Sequence, residues 1–260
     1  MTASKPSEGG STASNGEGVA RRRLGALRPL ALIISFATVL AVGAIFLVAN
    51  GPRSQTPQLI RVTGIPASVS TSLANLMALS TVPKKSAPAF ALTDQRGHTI
   101  SLKSFRGRPI VLEFMDPHCV DICPIISQEF IDAYHDLGSV GSRVVFMAIN
   151  VNQYHAGVAD VAAFSNEHRL NSIATWHFFT GPVSILRSIW RAYGITVEAP
   201  SPNADVIHSS FVFFIDAQGR ERYFANPTDF HTASGAAYLP AGQLTSWGHG
   251  IALVARSLLK

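Results

Sequence analysis

Cysteine is scarce in this sequence, and so are charged side chains. Two cysteines among 260 residues can neither cross-link a disulfide-rich scaffold nor form a four-cysteine zinc site. The chain has no P-loop, no GxGxxG and no GxSxG, so no motif supports a nucleotide-binding or serine-hydrolase function. Charged residues make up only 14% and hydrophobic residues 47%, which excludes disorder over the whole length.

The positive charge of the chain lies outside the stretch that we expect to fold. The formal net charge is +5 at pH 7. Residues 1–28 carry five basic and two acidic side chains, and residues 50–86 carry four basic and no acidic ones. Residues 87–260 carry twelve basic and fourteen acidic side chains, a mildly acidic balance. A nucleic-acid-binding domain would show the reverse distribution, so we expect no nucleic-acid partner.

A run of 20 residues without charge, Leu30–Ala49, has the length of a membrane span. At about 1.5 Å per residue a helix of this length spans about 30 Å, the thickness of the hydrocarbon core of a bilayer. Four arginines lie between residues 21 and 28, which places the N-terminus in the cytoplasm by the positive-inside rule. The alternative is a cleaved signal peptide, although the run exceeds the usual apolar core of about 7–15 residues.

The sequence therefore predicts four regions. Residues 1–28 are a disordered cytoplasmic tail, rich in Ser, Gly and Thr. Residues 29–50 are a transmembrane anchor, so the localisation is a single-pass cell-membrane protein with its C-terminal domain outside the cytoplasm. Residues 51–86 contain four prolines and no strand-like run and are predicted to be an extracytoplasmic tether. Residues 87–260 are the folded domain.

Within residues 87–260, short apolar runs alternate with helical periods, which is the pattern of β-α-β units and predicts an α/β fold. The last strands form a hairpin around the turn signal Asp216-Ala217-Gln218-Gly219. The predicted strands are Ile110–Phe114, Val144–Val151, Trp176–Thr180, Phe211–Ile215 and Glu221–Phe224, and the predicted helices start near residue 120, cover Val158–His168 and Val183–Tyr193, and close the chain from Leu244 to Leu258.

The two cysteines stand where a predicted strand ends and a predicted helix begins. The spacing of Cys119 and Cys123 places both sulfurs on one helical face, where the free amides and the dipole of the helix start favour thiolate over thiol. One alternative is a structural disulfide, but so small a loop gains little chain entropy from a bridge. A second alternative, two inert buried cysteines, leaves their placement at a helix start unexplained.

The segment from His118 to Pro124, His-Cys-Val-Asp-Ile-Cys-Pro, resembles a motif of the Sco/SenC family, membrane-anchored proteins that bind copper and help assemble cytochrome c oxidase. It matches the pattern His-Cys-Pro-Asp-Val/Ile-Cys-Pro except at Val120. A second family motif, Asp-His-Ser before an apolar strand, is matched by His208-Ser209, with Ile207 in place of the acidic residue. The resemblance covers about residues 85–260 and implies a thioredoxin-like fold, a central mixed sheet flanked by helices.

Carried over residue by residue, the resemblance implies that Cys119, Cys123 and His208 are copper ligands, for Cu(I) and also for Cu(II). It further implies a copper-receiving or disulfide-bearing partner outside the cytoplasm, such as an oxidase subunit. The donor types agree with this, because soft Cu(I) accepts two thiolates and an imidazole. His118 is either an outer ligand or merely exposed. The remaining histidines show no ligand spacing and are interpreted as structural or solvated: His98, His135, His155, His168, His177, His231 and His249.

Two features favour redox chemistry instead. Val120 replaces a proline that would stiffen the cysteine loop, and Glu113 occupies a position where thioredoxins have a buried acid, so it is a candidate proton relay to Cys123. Glu113 alternatively faces solvent or pairs with a base such as Arg143. The competing function is a thiol–disulfide oxidoreductase, an enzyme in which Cys119 is the nucleophile and Cys123 resolves the mixed disulfide.

Two weaker alternatives complete the sequence-based hypotheses. A peroxiredoxin would need Thr at position 116 and Pro at position 112, where Asp116 and Leu112 stand. An anchored interaction module without chemistry would tolerate the loss of both cysteines. Whether the protein is an enzyme is therefore open at this point, and copper delivery is the favoured function.

Overall fold

The fold is built around one mixed β-sheet, seen in the computed structural model, which describes residues 63–259. In chain order the strands are β1 (Ser80–Ser86), β2 (Ala91–Thr93), β3 (Thr99–Ser101), β4 (Ile110–Met115), β5 (Val145–Asn150), β6 (Trp176–Phe179), β7 (Val197–Glu198), β8 (Ile207–His208), β9 (Val212–Ile215), β10 (Arg220–Ala225), β11 (Phe230–His231) and β12 (Ala237–Tyr238). The α-helices are α1 (Thr71–Leu76), α2 (Ile122–Leu137), α3 (Val158–Glu167), α4 (Val183–Tyr193) and α5 (Ala241–Ser257).

The central sheet has six strands in the order β1-β10-β9-β4-β5-β6. Strands β4, β5 and β6 are parallel, whereas β9 is antiparallel to β4, and β10 and β1 continue the antiparallel half. Every residue of β4 and β5 is buried, as the apolar runs in the sequence predict for strands covered on both faces. The α/β fold predicted from the sequence is confirmed.

Helices cover both faces of this sheet. On one face α2 and α5 pack against each other around apolar side chains such as Phe130 and Trp247. Helices α1 and α3 contribute side chains to the same core. On the other face α4 and the β2–β3 hairpin cover a second core that includes Phe114 and Trp190. The cysteines belong to the first face, because Cys123 is part of its core. The predicted helices and central strands are all present, with ends shifted by a few residues.

The prediction that the tether extends to residue 86 is wrong. Residues Ser80–Ser86 form β1, which pairs antiparallel with β10 at the edge of the central sheet. Helix α1 precedes it, with the Ser70 hydroxyl accepting a hydrogen bond from the Leu73 amide at 3.2 Å, and Met77 is completely buried. The folded unit thus begins before residue 87. The strand lacks a sequence signal because its register is irregular between Thr81 and Lys85.

The predicted cytoplasmic tail (1–28), the predicted anchor (29–50) and residues 51–62 of the predicted tether lie outside the described residues. Within residues 63–259, none of the helices combines the length and the hydrophobicity that a membrane crossing requires. The anchor and the topology therefore stay predictions from the sequence.

Candidate metal and redox centre

The cysteine loop leaves the carboxyl end of β4 as a tight turn. The Asp116 carboxylate accepts a hydrogen bond from the His118 amide at 2.8 Å, and its backbone carbonyl accepts one from the Cys119 amide at 3.1 Å. Cys119 lies in the loop and is half-buried, whereas Cys123 is the second residue of α2 and only 1% exposed. The predicted placement at a helix start is confirmed, with Cys119 just before the helix rather than within it.

The two sulfurs contact each other and have opposite acidities. The Cys123 amide donates a hydrogen bond to Cys119 Sγ at 3.4 Å, which is a contact that favours negative charge on this sulfur. The Cys123 thiol also donates to Cys119, and this hydrogen bond lowers the pKa of Cys119. The same hydrogen bond, together with burial, raises the pKa of Cys123 well above the ordinary thiol value. Both cysteines are free thiols in the structure.

Glu113 lies inside the protein, on the same face of β4 as Val111 and the Cys123 core. Its carboxyl is fully buried and accepts a hydrogen bond from the Ser210 hydroxyl at 3.0 Å. Burial raises the pKa of Glu113 to about 8, and the hydrogen bond from Ser210 only partly offsets this. The charge of Glu113 in turn raises the pKa of Cys123. The alternatives of a solvent-facing Glu113 or a pair with Arg143 are therefore wrong.

His208 is held in the form that a metal ligand requires. Its Nδ1 lies 3.0 Å from the backbone carbonyl oxygen of Ser209, and a carbonyl can only accept, so Nδ1 carries the hydrogen and the lone pair is on Nε2. Burial lowers the pKa of His208, against the opposing effects of the Ser209 carbonyl and Asp116. The imidazole is therefore neutral at neutral pH and has a nitrogen lone pair to offer.

Cys119 and His208 line the same cleft, which has a volume of about 630 Å³. Its walls are the cysteine loop, the segment around β8 and the turn between β11 and β12. Among the described residues, the ligand atoms of Cys119, Cys123 and His208 do not form a cluster in which all lie within 4.8 Å of one another. The fold thus places Cys119 and His208 on one cleft and Cys123 in contact with Cys119, without closing the three predicted ligands into a finished site.

The two departures from the family motifs also lie at this cleft. Val120 is 90% exposed on one wall, and Ile207 is 67% exposed on the other. Both replace residues that would be rigid or charged, so the rim of the cleft is more apolar than the family pattern implies.

Two polar clusters beside the cysteine loop were not found by sequence reasoning. In one, the rings of His118 and His155 stack at a centroid distance of 3.7 Å next to Asp160. In the other, His231 Nε2 lies 3.1 Å from both carboxylate oxygens of Asp121. The available signal was topological: the loops that follow parallel strands β4 and β5 meet at one edge of the sheet, so His118 and His155 are neighbours.

The architecture is thioredoxin-like, with a reactive cysteine pair between the first parallel strand of the sheet and the helix that follows it. The sequence matches the family model described as SCO1/SenC over residues 79–237, which is more than half of the chain. The chain belongs to the SCO1/SenC family. The family predicted from the motifs is thus confirmed, and the matched range also includes β1.

Similar proteins agree with this placement. The chain is 23% identical over 133 residues to the "SCO1 protein homolog" of Bacillus subtilis, which covers 50% of this chain and 68% of that protein. The solved structure of Arabidopsis thaliana ScoI with copper bound superposes with a TM-score of 0.50 at 21% identity, covering 55% of this chain and 89% of that one. At this identity the structural similarity shows the fold alone.

A Mycobacterium tuberculosis protein with a provisional peroxiredoxin name is 27% identical over 138 residues, covering 53% of this chain and 80% of that protein. The similarity does not extend to a peroxiredoxin motif, because Asp116 and Leu112 stand at the Thr and Pro positions. Asp116 has a different role here, since it binds the His118 amide and the Asn152 side chain.

Proposed function

We propose that this chain is a membrane-anchored, extracytoplasmic copper-binding protein that assists the metallation of a respiratory oxidase. Membership of the SCO1/SenC family supports the proposal. The family is described as one of cytochrome c oxidase assembly proteins, and Arabidopsis thaliana ScoI has been solved with copper bound. For the present chain, this family membership implies a partner that receives copper, such as an oxidase subunit.

The observation that carries the copper assignment is that Cys119 and the neutral His208 line one cleft, and that the amide and the thiol of Cys123 both donate hydrogen bonds to Cys119 Sγ. Two sulfurs and one imidazole are donors that suit Cu(I), a soft ion. Metal ligation needs bonds of about 2.0–2.3 Å, so β8 and the cysteine loop must approach each other when copper binds. An incompletely closed site is consistent with a protein that binds copper and transfers it to a partner.

The anchor and the location are supported by the sequence. The uncharged run within residues 29–50 and the arginines before it favour one membrane span with the N-terminus in the cytoplasm. The folded domain is then held outside the cytoplasm by a tether that is shorter than the sequence predicts, because residues from 71 onward already belong to the folded unit.

Cu(I) binding to the reduced, full-length chain tests the proposal by competition with a chelator of known affinity. We expect one tightly bound Cu(I) per chain, loss of tight binding in Cys119→Ser and Cys123→Ser, and an affinity at least tenfold lower in His208→Ala. His249→Ala is the matched control, because this exposed histidine on α5 pairs with Asp136 away from the cleft. Equal Cu(I) affinity in His208→Ala and the parent would contradict the ligand set.

A second function, thiol–disulfide exchange, is favoured by the opposite pKa shifts of the two cysteines. The Cys119 thiolate attacks a partner disulfide and forms a mixed disulfide, and one partner thiolate leaves. Cys123 then attacks Cys119, releases the second partner thiolate and leaves the pair oxidised by two electrons. Glu113 is the candidate acceptor of the Cys123 proton, because it is buried on the same side of the sheet. Its pKa is about 8 and only the ionised carboxylate accepts a proton, so we expect this relay to become more effective as the pH rises toward 8.

Trapping experiments test this second function. In Cys123→Ser the mixed disulfide cannot be resolved, so we expect a covalent adduct with a disulfide-bearing peptide, whereas Cys119→Ser forms none. Iodoacetamide is expected to alkylate Cys119 of the reduced chain well before Cys123, because thiolate is the reactive form and Cys119 is the more exposed sulfur. Equal alkylation of the two sulfurs, without any adduct, would exclude the exchange function.

A further inference from the structure

Three side chains beside the cysteine loop, His118, His155 and Asp160, form what we name the outer cluster. His118 Nε2 lies 3.2 Å and His155 Nδ1 3.8 Å from the same oxygen, Asp160 Oδ1. One ligand atom from each of the three residues lies within 4.8 Å of the other two. The cluster joins the loop after β4, the loop after β5 and the first turn of α3.

The backbone around the outer cluster is fixed by buried polar side chains. Asn152 donates a hydrogen bond to Asp116 at 2.9 Å, and Asp116 also accepts one from the His118 amide. The oxygen of the same Asn152 accepts from the His155 amide at 3.2 Å. Both histidines are therefore positioned by a single buried pair, Asp116–Asn152.

Asp160 and His155 are held by further contacts. The second oxygen of Asp160 accepts a hydrogen bond from the Gly157 amide at 3.0 Å, which leaves Oδ1 turned toward the two imidazoles. The carbonyl of His155 accepts from the buried Asn150 side chain at 2.7 Å. A hydrogen bond to the far oxygen of a ligating carboxylate, such as the one from Gly157 to Asp160, is a recurring property of metal sites in proteins.

We propose that His118, His155 and Asp160 bind one divalent transition-metal ion, Cu(II) or Zn(II), at a site separate from the cleft that holds Cys119 and His208. Two imidazoles and a carboxylate suit these borderline ions, whereas Cu(I) prefers the sulfurs. Ligand atoms about 2.1 Å from a shared ion lie about 3.0–3.4 Å apart. The 3.2 Å pair has this separation, whereas the 3.8 Å pair and the two imidazole nitrogens, which lie within 4.8 Å of each other, must approach when an ion binds.

The outer cluster is also accessible to an ion. Its side chains are 49% exposed at His118, 31% at His155 and 28% at Asp160, so metal and water ligands can enter without opening the fold. A bound ion would tie the cysteine loop to the loop after β5 and to α3. Metal binding at this site therefore stabilises the cysteine loop, which is the wall of the cleft that carries Cys119.

The test uses the full-length chain with Cys119→Ser, Cys123→Ser and His208→Ala combined, so that the proposed copper site is absent. Zn(II) is added in calorimetric titrations and Cu(II) in electron paramagnetic resonance. We expect one ion per chain, nitrogen hyperfine coupling for Cu(II), and a thermal midpoint raised by Zn(II). Adding His155→Ala or Asp160→Asn is expected to lower the affinity at least tenfold and to abolish the thermal shift.

His231→Ala is the matched control, since His231 belongs to the neighbouring cluster with Asp121 and Asp229 and does not touch the outer cluster. Asp160→Asn keeps an oxygen acceptor for the Gly157 amide, and circular dichroism of both variants reports whether α3 is intact. Absence of binding in the triple variant, or binding that His231→Ala abolishes and His155→Ala leaves unchanged, would overturn the proposal. Because the cysteines are absent, either result leaves the proposed Cu(I) function unaffected.

Discussion

At the scale of residues, Glu113 is the side chain whose environment departs most from its sequence context. It lies in a strand of apolar residues, is completely buried, and has one carboxylate oxygen, Oε2, without a hydrogen-bond partner among the described residues. Removing a carboxylate from water without full pairing disfavours its charged form. Glu113 is therefore neutral in the folded protein between pH 4.5 and about 8, where a free carboxyl is ionised.

This burial predicts a pH-dependent stability. The pKa of Glu113 rises from 4.5 to about 8 on folding, so between these values the folded state holds a proton that the unfolded state has lost. The stability that protonated Glu113 contributes is fully present below pH 4.5 and is lost as the pH rises to about 8. Over this window the free energy of unfolding falls by at most about 1.4 kcal/mol per pH unit. Glu113→Gln removes this term, so we expect its stability relative to the parent to increase with pH over this window.

Urea denaturation at several pH values between 5 and 8 measures the difference between Glu113→Gln and the parent. Glu129 is raised in pKa chiefly by burial and also by the charge of Glu113, so the measured difference includes the part of the Glu129 shift that depends on Glu113. Glu198→Gln is the control, because Glu198 is exposed in β7 and we expect its variant to follow the parent over this pH window. If the unfolding free energies of Glu113→Gln and the parent change in parallel with pH, the Glu113 carboxyl is not neutral in the folded protein.

At the scale of elements, the packing of α2 against α5 supports the face of the sheet that carries Cys123. Gly248 lies at this crossing, where an added Cβ would come within 2.6 Å of Asp132 Cβ and 3.3 Å of the Glu129 carbonyl oxygen. These atoms belong to or adjoin the α2 backbone and cannot rotate away. The two helices approach closely because position 248 has no side chain.

We expect Gly248→Ala to lower the unfolding free energy by about 1–3 kcal/mol, because overpacking outweighs the gain of about 1 kcal/mol in helix propensity. Gly242→Ala in the same helix is the matched control: its added Cβ meets no atom within 4 Å, so only the propensity gain remains. Chemical denaturation measures both. A Gly248→Ala variant as stable as Gly242→Ala would mean that the helices separate at little cost.

The elements differ in how well the sequence predicts them. Strands β4 and β5 are recognisable because both their faces are buried and their residues are almost all apolar. Strand β1 is not, since an edge strand with Pro83 and an irregular register needs no alternating pattern. The two-residue strands β7, β8, β11 and β12 are too short to produce a periodic signal, although β8 and the turn between β11 and β12 line the cleft.

The residues of the candidate site also differ in how well the sequence predicts them. The cysteine pair is local in sequence, so its spacing and the helix start are visible without a structure. His208 is 85 residues beyond Cys123, and only the family motif pointed to it. His155 and Asp160 have no motif at all: their proximity to His118 follows from the parallel pairing of β4 with β5, which no local pattern contains.

At the scale of the whole molecule, the functional groups gather at one end of the sheet. The cysteine loop follows β4 and the His155 loop follows β5, both at the carboxyl ends of parallel strands, where α/β proteins commonly place their sites. The proposed copper site and the outer cluster are therefore neighbours, joined in sequence by His118-Cys119. A partner that docks at this end of the domain meets both.

The proposed membrane topology gives a prediction for the full chain. Alkaline phosphatase, which is active only outside the cytoplasm, is expected to be active when fused after residue 62 and inactive when fused after residue 28, because the arginines before the span stay inside. An N-terminal tag is expected to remain on the mature, membrane-bound protein. Loss of the tag would indicate a cleaved signal peptide, and an inactive fusion after residue 62 would contradict the topology.

X-ray absorption spectroscopy of the Cu(I)-loaded, full-length chain tests the central claim most directly, because it counts the atoms bound to copper. We predict two sulfur neighbours and one nitrogen, from Cys119, Cys123 and His208, with the nitrogen lost in His208→Ala and retained in His249→Ala. A copper ion with only nitrogen and oxygen neighbours, or a spectrum that His208→Ala leaves unchanged, would contradict the account.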